Sequence, residues 1–247
     1  MAVDSWGLAD RLGSMDEPLT ERVRPLGVRL FWADVEPLEQ QEQSRVEAML
    51  GDEELRRAMR FRHEPSRWCH LVTRQLVRET FSRLGGGAPD RWRFETEEEG
   101  RPYLVNPTEK LEGLDFNIAH SHQKVVLAVA DSGRVGVDVE PVGRDVDYEL
   151  VARRFFHDSE CDAIDELDAE LRHRRFLQLW VLKEAWMKAD GRGIGAGLSQ
   201  VVFEFDRKGQ PRLASLPDGA DTSRWAIVLG EKNDHLVAVA HRRVVRS

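Results

Sequence analysis

The run Gly136-Val137-Asp138-Val139-Glu140 sets two carboxylates two residues apart in a valine-rich stretch. Such a stretch predicts a strand, and its period of two turns Asp138 and Glu140 to one face. Carboxylates pressed together repel unless a cation neutralises them. Mg²⁺, a hard ion that prefers oxygen, suits the pair and keeps positions for water or phosphate oxygens. Without an ion the pair reads as an exposed acidic strand end. A second group follows in Trp180-Val181-Leu182-Lys183-Glu184-Ala185-Trp186-Met187-Lys188. Glu184 and Lys188 are four apart and stack on one helix face. That spacing is common surface decoration, but Leu179, Trp180, Leu182, Trp186 and Met187 make the helix apolar nearly all round. A helix of that kind is buried, and buried charges are paired or functional. A third carboxylate and an ammonium would complete a site for a metal ion and a phosphate. A third group, Phe116-Asn117-Ile118-Ala119-His120-Ser121-His122, offers two imidazoles. No cysteine or further histidine has the spacing to join them on a metal. The better reading of His120 is a phosphate donor at a strand end, set against a plain core histidine.

Two other features carry less. Gly191-Arg192-Gly193-Ile194-Gly195-Ala196-Gly197 resembles a phosphate loop, but it follows a helix and lacks Gly-Lys-Ser/Thr, so it reads as a helix stop. Cys69 sits beside His70 among arginines, and a structural role is expected for it. Cys69 and Cys161 are the whole cysteine complement, too few for a disulfide framework, which points to a reducing, cytoplasmic setting. The N-terminus lacks the basic and apolar regions of a signal peptide. The longest apolar run, Val125–Ala130, is far below the ~18–20 residues of a spanning helix. No membrane association is expected.

A net charge of −8 over 247 residues argues against a general nucleic-acid binder. Yet ten arginines and only three acids fall between Leu55 and Arg93. The plain reading is a solvated helix surface. The sharper one is an anion site, because arginine forks grip phosphates.

The elements that must position these groups follow from periodicity. Residues 1–24 read as a loose N-terminal arm, and Gly27–Val35 as a strand. Helices are expected over about Gln41–Arg62 and Pro65–Leu84, the second ended by Gly85-Gly86-Gly87. Strands follow near Trp92–Thr96, Tyr103–Val105, Leu114–Ile118, Val125–Ala130 and Val135–Glu140. Helices return at Tyr148–Phe155, Asp158–Asp168 and Leu171–Ala189, then strands at Val201–Asp206, Trp225–Leu229 and His235–Ala240. Three landmarks recur in order. Arg60-Phe61-Arg62-His63 matches Arg154-Phe155-Phe156-His157, Gly100–Leu104 matches Gly209–Leu213, and Val126–Ala130 matches Leu236–Ala240, at offsets of 94, 109 and 110. They imply a duplicated α+β unit. The resulting division is an arm (1–24), a first α+β half (25–131) and a second half (132–247) that carries the carboxylates.

FNIAHS, VGVDVE and WVLKEAWMK, in this order and spacing, resemble the 4′-phosphopantetheinyl transferase superfamily, in its long, surfactin-type (Sfp-type) branch. Gly100-Arg101-Pro102-Tyr103 is similar to that branch's Gly-Lys-Pro element, with arginine for lysine. The match runs from about Gly51 to Ala240. The resemblance implies two similar α+β halves related by a pseudo-twofold axis, with the site in the cleft between them. It implies transfer of the phosphopantetheine arm of coenzyme A to a serine of an apo acyl or peptidyl carrier protein, releasing 3′,5′-ADP. It makes Asp138, Glu140 and Glu184 the Mg²⁺ ligands and Glu184 the general base. Lys188 and His120 would neutralise pyrophosphate charge. Arg101 would lie near the nucleotide, and Arg57 and Arg62 would receive the 3′-phosphate. Ala119 departs from the family's serine and Val181 from its small polar residue, which leaves the metal ligands intact. A monomer is expected, since one chain supplies both halves. The competing readings are a coenzyme A or carrier-binding protein without turnover, and a metal-dependent phosphohydrolase.

Overall fold

The strand Lys124–Ala130 shows how the chain is layered. In the computed structural model, which describes residues 17–121, 123–191 and 197–244, the first half comprises α1 (Glu17–Val23), β1 (Val28–Asp34), α2 (Gln40–Met49), α3 (Asp52–Arg60), α4 (Glu64–Gly85), β2 (Phe94–Thr96), β3 (Pro102–Leu104), β4 (Asp115–Ser121) and β5 (Lys124–Ala130). Alternate residues of β5 enter different cores. Val125, Leu127 and Val129 pack with Leu71, Leu76 and Phe81 of α4. Val126, Ala128 and Ala130 pack against the second half. A strand covered on both faces reads as a continuous apolar run, which is why this stretch lacks polar alternation.

The second half repeats the plan with β6 (Arg134–Pro141), α5 (Tyr148–Phe155), α6 (Asp158–Asp165), α7 (Ala169–Asp190), β7 (Val202–Phe205), β8 (Pro211–Ser215), β9 (Trp225–Lys232) and β10 (His235–Arg242). Leu236, Ala238 and Ala240 of β10 face α7, while Val237 and Val239 face the first half. The two antiparallel sheets have matching orders, β1-β5-β4 and β6-β10-β9, and the hairpins β2-β3 and β7-β8 correspond. Helices α4 and α7 are each 22 residues long. The layers thus run helix, sheet, sheet, helix, and the fold is α+β with two similar halves. The turn at 131–133 carries the chain from one sheet to the other.

Where β4 meets β6, the β6 edge would leave backbone N–H groups unpaired, a cost the first half removes with side chains. Asp115 Oδ2 accepts from Val135 N at 2.6 Å, and Asn117 Oδ1 accepts from Val137 N at 3.0 Å.

Four expectations are corrected. Residues 17–23 of the loose arm form α1, with Leu19 and Val23 buried and Arg22 Nη1 donating to Leu229 O at 2.7 Å. The single helix over 41–62 breaks into α2 and α3 at Gly51, whose N–H is accepted by Glu54 Oε2 at 3.0 Å. Strand β8 is added to the strands expected. The first repeat landmark is out of register by one helix, because Phe61 precedes the long α4 whereas Phe155 precedes the eight-residue α6. Among the described residues, no helix is long and apolar enough to cross a membrane.

Candidate active site

Helix α7 lies close on β6 because position 136 is glycine. A Cβ there would stand 2.0 Å from Ala185 O and 2.5 Å from Ala189 N, so no side chain fits. With Val135, Val137 and Val139 committed to the core between the sheets, Asp138 and Glu140 fall on the opposite face of β6, and Asp138 meets the helix. Lys188 Nζ donates to Asp138 Oδ1 at 2.7 Å and to Val137 O at 3.3 Å. The rotation of α7 is fixed one turn earlier by a buried pair, Lys183 Nζ to Glu160 Oε2 at 2.7 Å, with Leu198 O and Val201 O also accepting from Lys183. A buried ammonium needs such partners.

Asp138 is almost wholly buried, and its Oδ2 has no hydrogen-bond partner. Burial pushes its carboxyl above the usual range, and Lys188 pulls it back. Glu140 accepts from Ser121 Oγ at 2.9 Å and pairs with Arg144. Burial raises its pKa, helped by the charge of Asp138. Glu184 is raised first by burial, then by the charges of Asp138 and Glu140, against Lys188 and Arg144. Three carboxylates against two cations leave the group one positive charge short. Together with the orphaned Asp138 Oδ2, that shortfall fits a hard cation on oxygen ligands. Among the described residues, no three such side chains converge to chelating distance as they stand. Glu140 is instead turned to Ser121 and Arg144.

Glu184 and Lys188 line a cleft of about 260 Å³ with Arg101, Asn117, Ile118 and Met187. His120 lies elsewhere, on the wall of a cleft of about 710 Å³ with Arg57, His70 and Arg74. Arg57 also lines a third cleft, of about 560 Å³, with Arg56 and Arg60. Arg62 is exposed and belongs to none of these three. His122 and residues 192–196 of the glycine-rich loop lie outside the described residues. The arginine segment therefore divides by role. Arg78 is structural, its guanidinium held by Glu54, Pro89 O and Trp92 O, and Arg67 pairs with Glu47. Arg56, Arg57, Arg60 and Arg74 face the clefts. Burial and the charges of Arg74 and Arg57 hold the His70 imidazole down to about 4.

Arg101 does not reach outward as expected of a nucleotide ligand. It is buried, and both terminal nitrogens donate to protein acceptors. Ser121 and Arg144 were missed as partners of Glu140. Ser121 stands inside the FNIAHS run, whereas Arg144 follows a strand end with no periodic signal.

Sequence models of two families match the chain. One for the 4′-phosphopantetheinyl transferase superfamily matches residues 134–240, and one for the 4′-phosphopantetheinyl transferase N-terminal region matches 35–132. The chain is 30% identical to the 4′-phosphopantetheinyl transferase Sfp of Bacillus subtilis, over 74% of this chain and 78% of Sfp. The chain belongs to the 4′-phosphopantetheinyl transferase superfamily. The transferase is also 29% identical to HetI of Nostoc sp., over 82% of this chain and 83% of HetI. A phosphopantetheinyl transferase of Thraustochytrium sp. is 31% identical over 80% of this chain and 72% of its own length. The holo-[acyl-carrier-protein] synthase of Thermotoga maritima, a solved structure, overlaps 44% of this chain and 62% of its own, at 26% identity and a TM-score of 0.38.

Proposed function

We propose that this transferase moves the 4′-phosphopantetheine arm of coenzyme A to a serine of an apo acyl or peptidyl carrier protein and releases 3′,5′-ADP. The observation that carries the reading is the buried Asp138, which keeps one oxygen unpartnered and pairs with Lys188, itself on the wall of a cleft with Glu184. In the reaction the serine oxygen forms a bond to the β-phosphorus, the pyrophosphate bridge breaks, and 3′,5′-ADP departs with the electron pair.

Asp138, Glu140 and Glu184 would hold Mg²⁺. When bound, the ion supplies Lewis-acid stabilisation of pyrophosphate charge. Glu184 takes the serine proton, directly or through water. Lys188 adds fixed positive charge at the cleft wall, where negative charge builds on the leaving group. Arg57 and His120 offer donors for the phosphates of the nucleotide from the larger cleft, which Arg74 also lines. Arg62 is left without a role. We further propose a cytoplasmic monomer, since one chain carries both halves.

Incubation with coenzyme A, Mg²⁺ and an apo carrier protein, read by intact mass, tests the function. The expected result is a carrier heavier by one phosphopantetheine arm, with 3′,5′-ADP formed in equal amount. Unchanged carriers across fatty-acid, polyketide and peptide types would overturn it. Nucleotide release without carrier gain would favour a phosphohydrolase.

A further inference from the structure

The turn of the β2-β3 hairpin puts two charged side chains on the seam between the halves. Gly100, at φ +87°, closes the turn, with its N–H on Glu97 O at 2.9 Å. Arg101 then reaches across. Nη2 donates to Asp115 Oδ2 at 2.5 Å, to Val135 O at 2.7 Å and to Phe116 O at 2.9 Å, and Nη1 donates to Lys188 O. Glu97 grips Arg134 bidentately, with both N···O distances 2.8 Å. Two arginines and two carboxylates neutralise one another, so no positive charge is left over for a phosphate.

The Lys188 carbonyl is among the last four of α7, which a helix cannot satisfy internally. A guanidinium there also meets the negative end of the helix dipole. The same residue's ammonium is the one on Asp138. The repeat supplies an internal comparison. Gln210 occupies the equivalent turn of β7-β8, and its Oε1 accepts from Arg22 of α1 instead. Among the described residues, the hairpin that abuts the Lys188 end of α7 has the clamp and β7-β8 does not.

Building on the transferase reading, we propose that Arg101 is a positioning residue: it caps α7 at the Lys188 carbonyl and so holds the Lys188 ammonium on Asp138, rather than binding the nucleotide. Lysine cannot replace it, because its single nitrogen cannot hold both the acceptors of Nη2 and the Lys188 carbonyl that Nη1 reaches.

Steady-state kinetics with coenzyme A and an apo carrier separate the two roles. Arg101→Lys should lower kcat roughly 10–100-fold, the penalty of misplacing a reacting group, while KM for coenzyme A stays within about twofold. A KM raised tenfold with kcat kept would make Arg101 a nucleotide ligand and overturn the proposal. Arg134→Met cuts the Glu97 pair but spares the Lys188 contact, so it should lose stability and keep kcat. Equal loss of kcat in Arg134→Met would mean that loosening of the seam alone explains the effect. Phenylglyoxal labelling of the unmutated protein, read by peptide mass, needs neither folded variants nor turnover. Arg101 should stay unmodified with and without coenzyme A. Labelling of Arg101 that coenzyme A suppresses would overturn the proposal. A wild-type chain that fails to load any carrier would count against the transferase reading, with the labelling still deciding where Arg101 points.

Discussion

Asp138 concentrates the conflict between stability and function in one carboxylate. It is buried, half-satisfied and held above its usual pKa by desolvation, so its charge costs the fold free energy. Asp138→Asn keeps the shape and removes the charge. The melting temperature should hold or rise, while carrier loading, followed by mass, falls by about 100-fold or more. Unfolding at a lower temperature with turnover retained would make Asp138 structural. His70 gives a different residue-scale prediction. Its folded pKa, about 4, lies below the ordinary 6.5, so the fold prefers the neutral ring. The unfolded chain binds the extra proton first, and stability is lost as pH falls from 6.5 toward 4. Comparison of urea midpoints should show the wild type losing about 2–3 kcal/mol more than His70→Gln across that window. Parallel pH profiles for the two proteins would refute it. The carboxylates and Lys188 were legible in the sequence because each lies on a strongly periodic element. Arg101 was not, because a Gly-Arg-Pro turn has no period to show which way its side chain points.

At the scale of elements, the site depends on how closely α7 lies on β6. Gly136 permits that approach, and the seat for Lys188 on Asp138 follows from it. Gly136→Ala would drive a methyl into the backbone at Ala185 and Ala189, which cannot yield as a flexible side chain would. The expected cost is about 1–3 kcal/mol from overpacking, with carrier loading falling by more than the loss of folded protein explains. Denaturant unfolding and rates per folded molecule measure both quantities, and a variant with wild-type values would show that the helix can stand off without effect. Period-two patterning revealed β6, and a helix apolar all round revealed that α7 is buried. The break between α2 and α3 escaped because apolar spacing continues through Leu50 and Gly51, while the capping bond from Gly51 to Glu54 depends on local geometry. The false landmark at Phe61 and Phe155 has a similar cause: short motifs at helix ends resemble one another whichever helix they follow.

The whole molecule is held by the core between its sheets. Leu30, Trp32, Val126, Ala128 and Ala130 from the first half interleave with Val135, Val137, Val139, Val237 and Val239 from the second. Separating the halves would expose this apolar layer and strand the Asp115 and Asn117 side chains that satisfy the β6 edge. Helix α1 adds to the same coupling, since it precedes β1 of the first half yet packs on β9 of the second, where Leu19 lies over Gly230. Duplication makes the halves similar without making them independent, because neither buries both faces of its sheet alone. Heat or urea should therefore unfold the chain in one transition, with far-ultraviolet circular dichroism and tryptophan fluorescence giving the same midpoint. Tryptophans occur on both sides of the seam, Trp32 and Trp92 in the first half and Trp186 and Trp225 in the second, so fluorescence reports on each. Two resolved transitions, or a stable fold for residues 25–131 expressed alone, would show that the seam is an interface between self-sufficient domains. In that case the pairing of Asp138 with Lys188, which lies within the second half, would survive separation, and the Arg101 clamp would not.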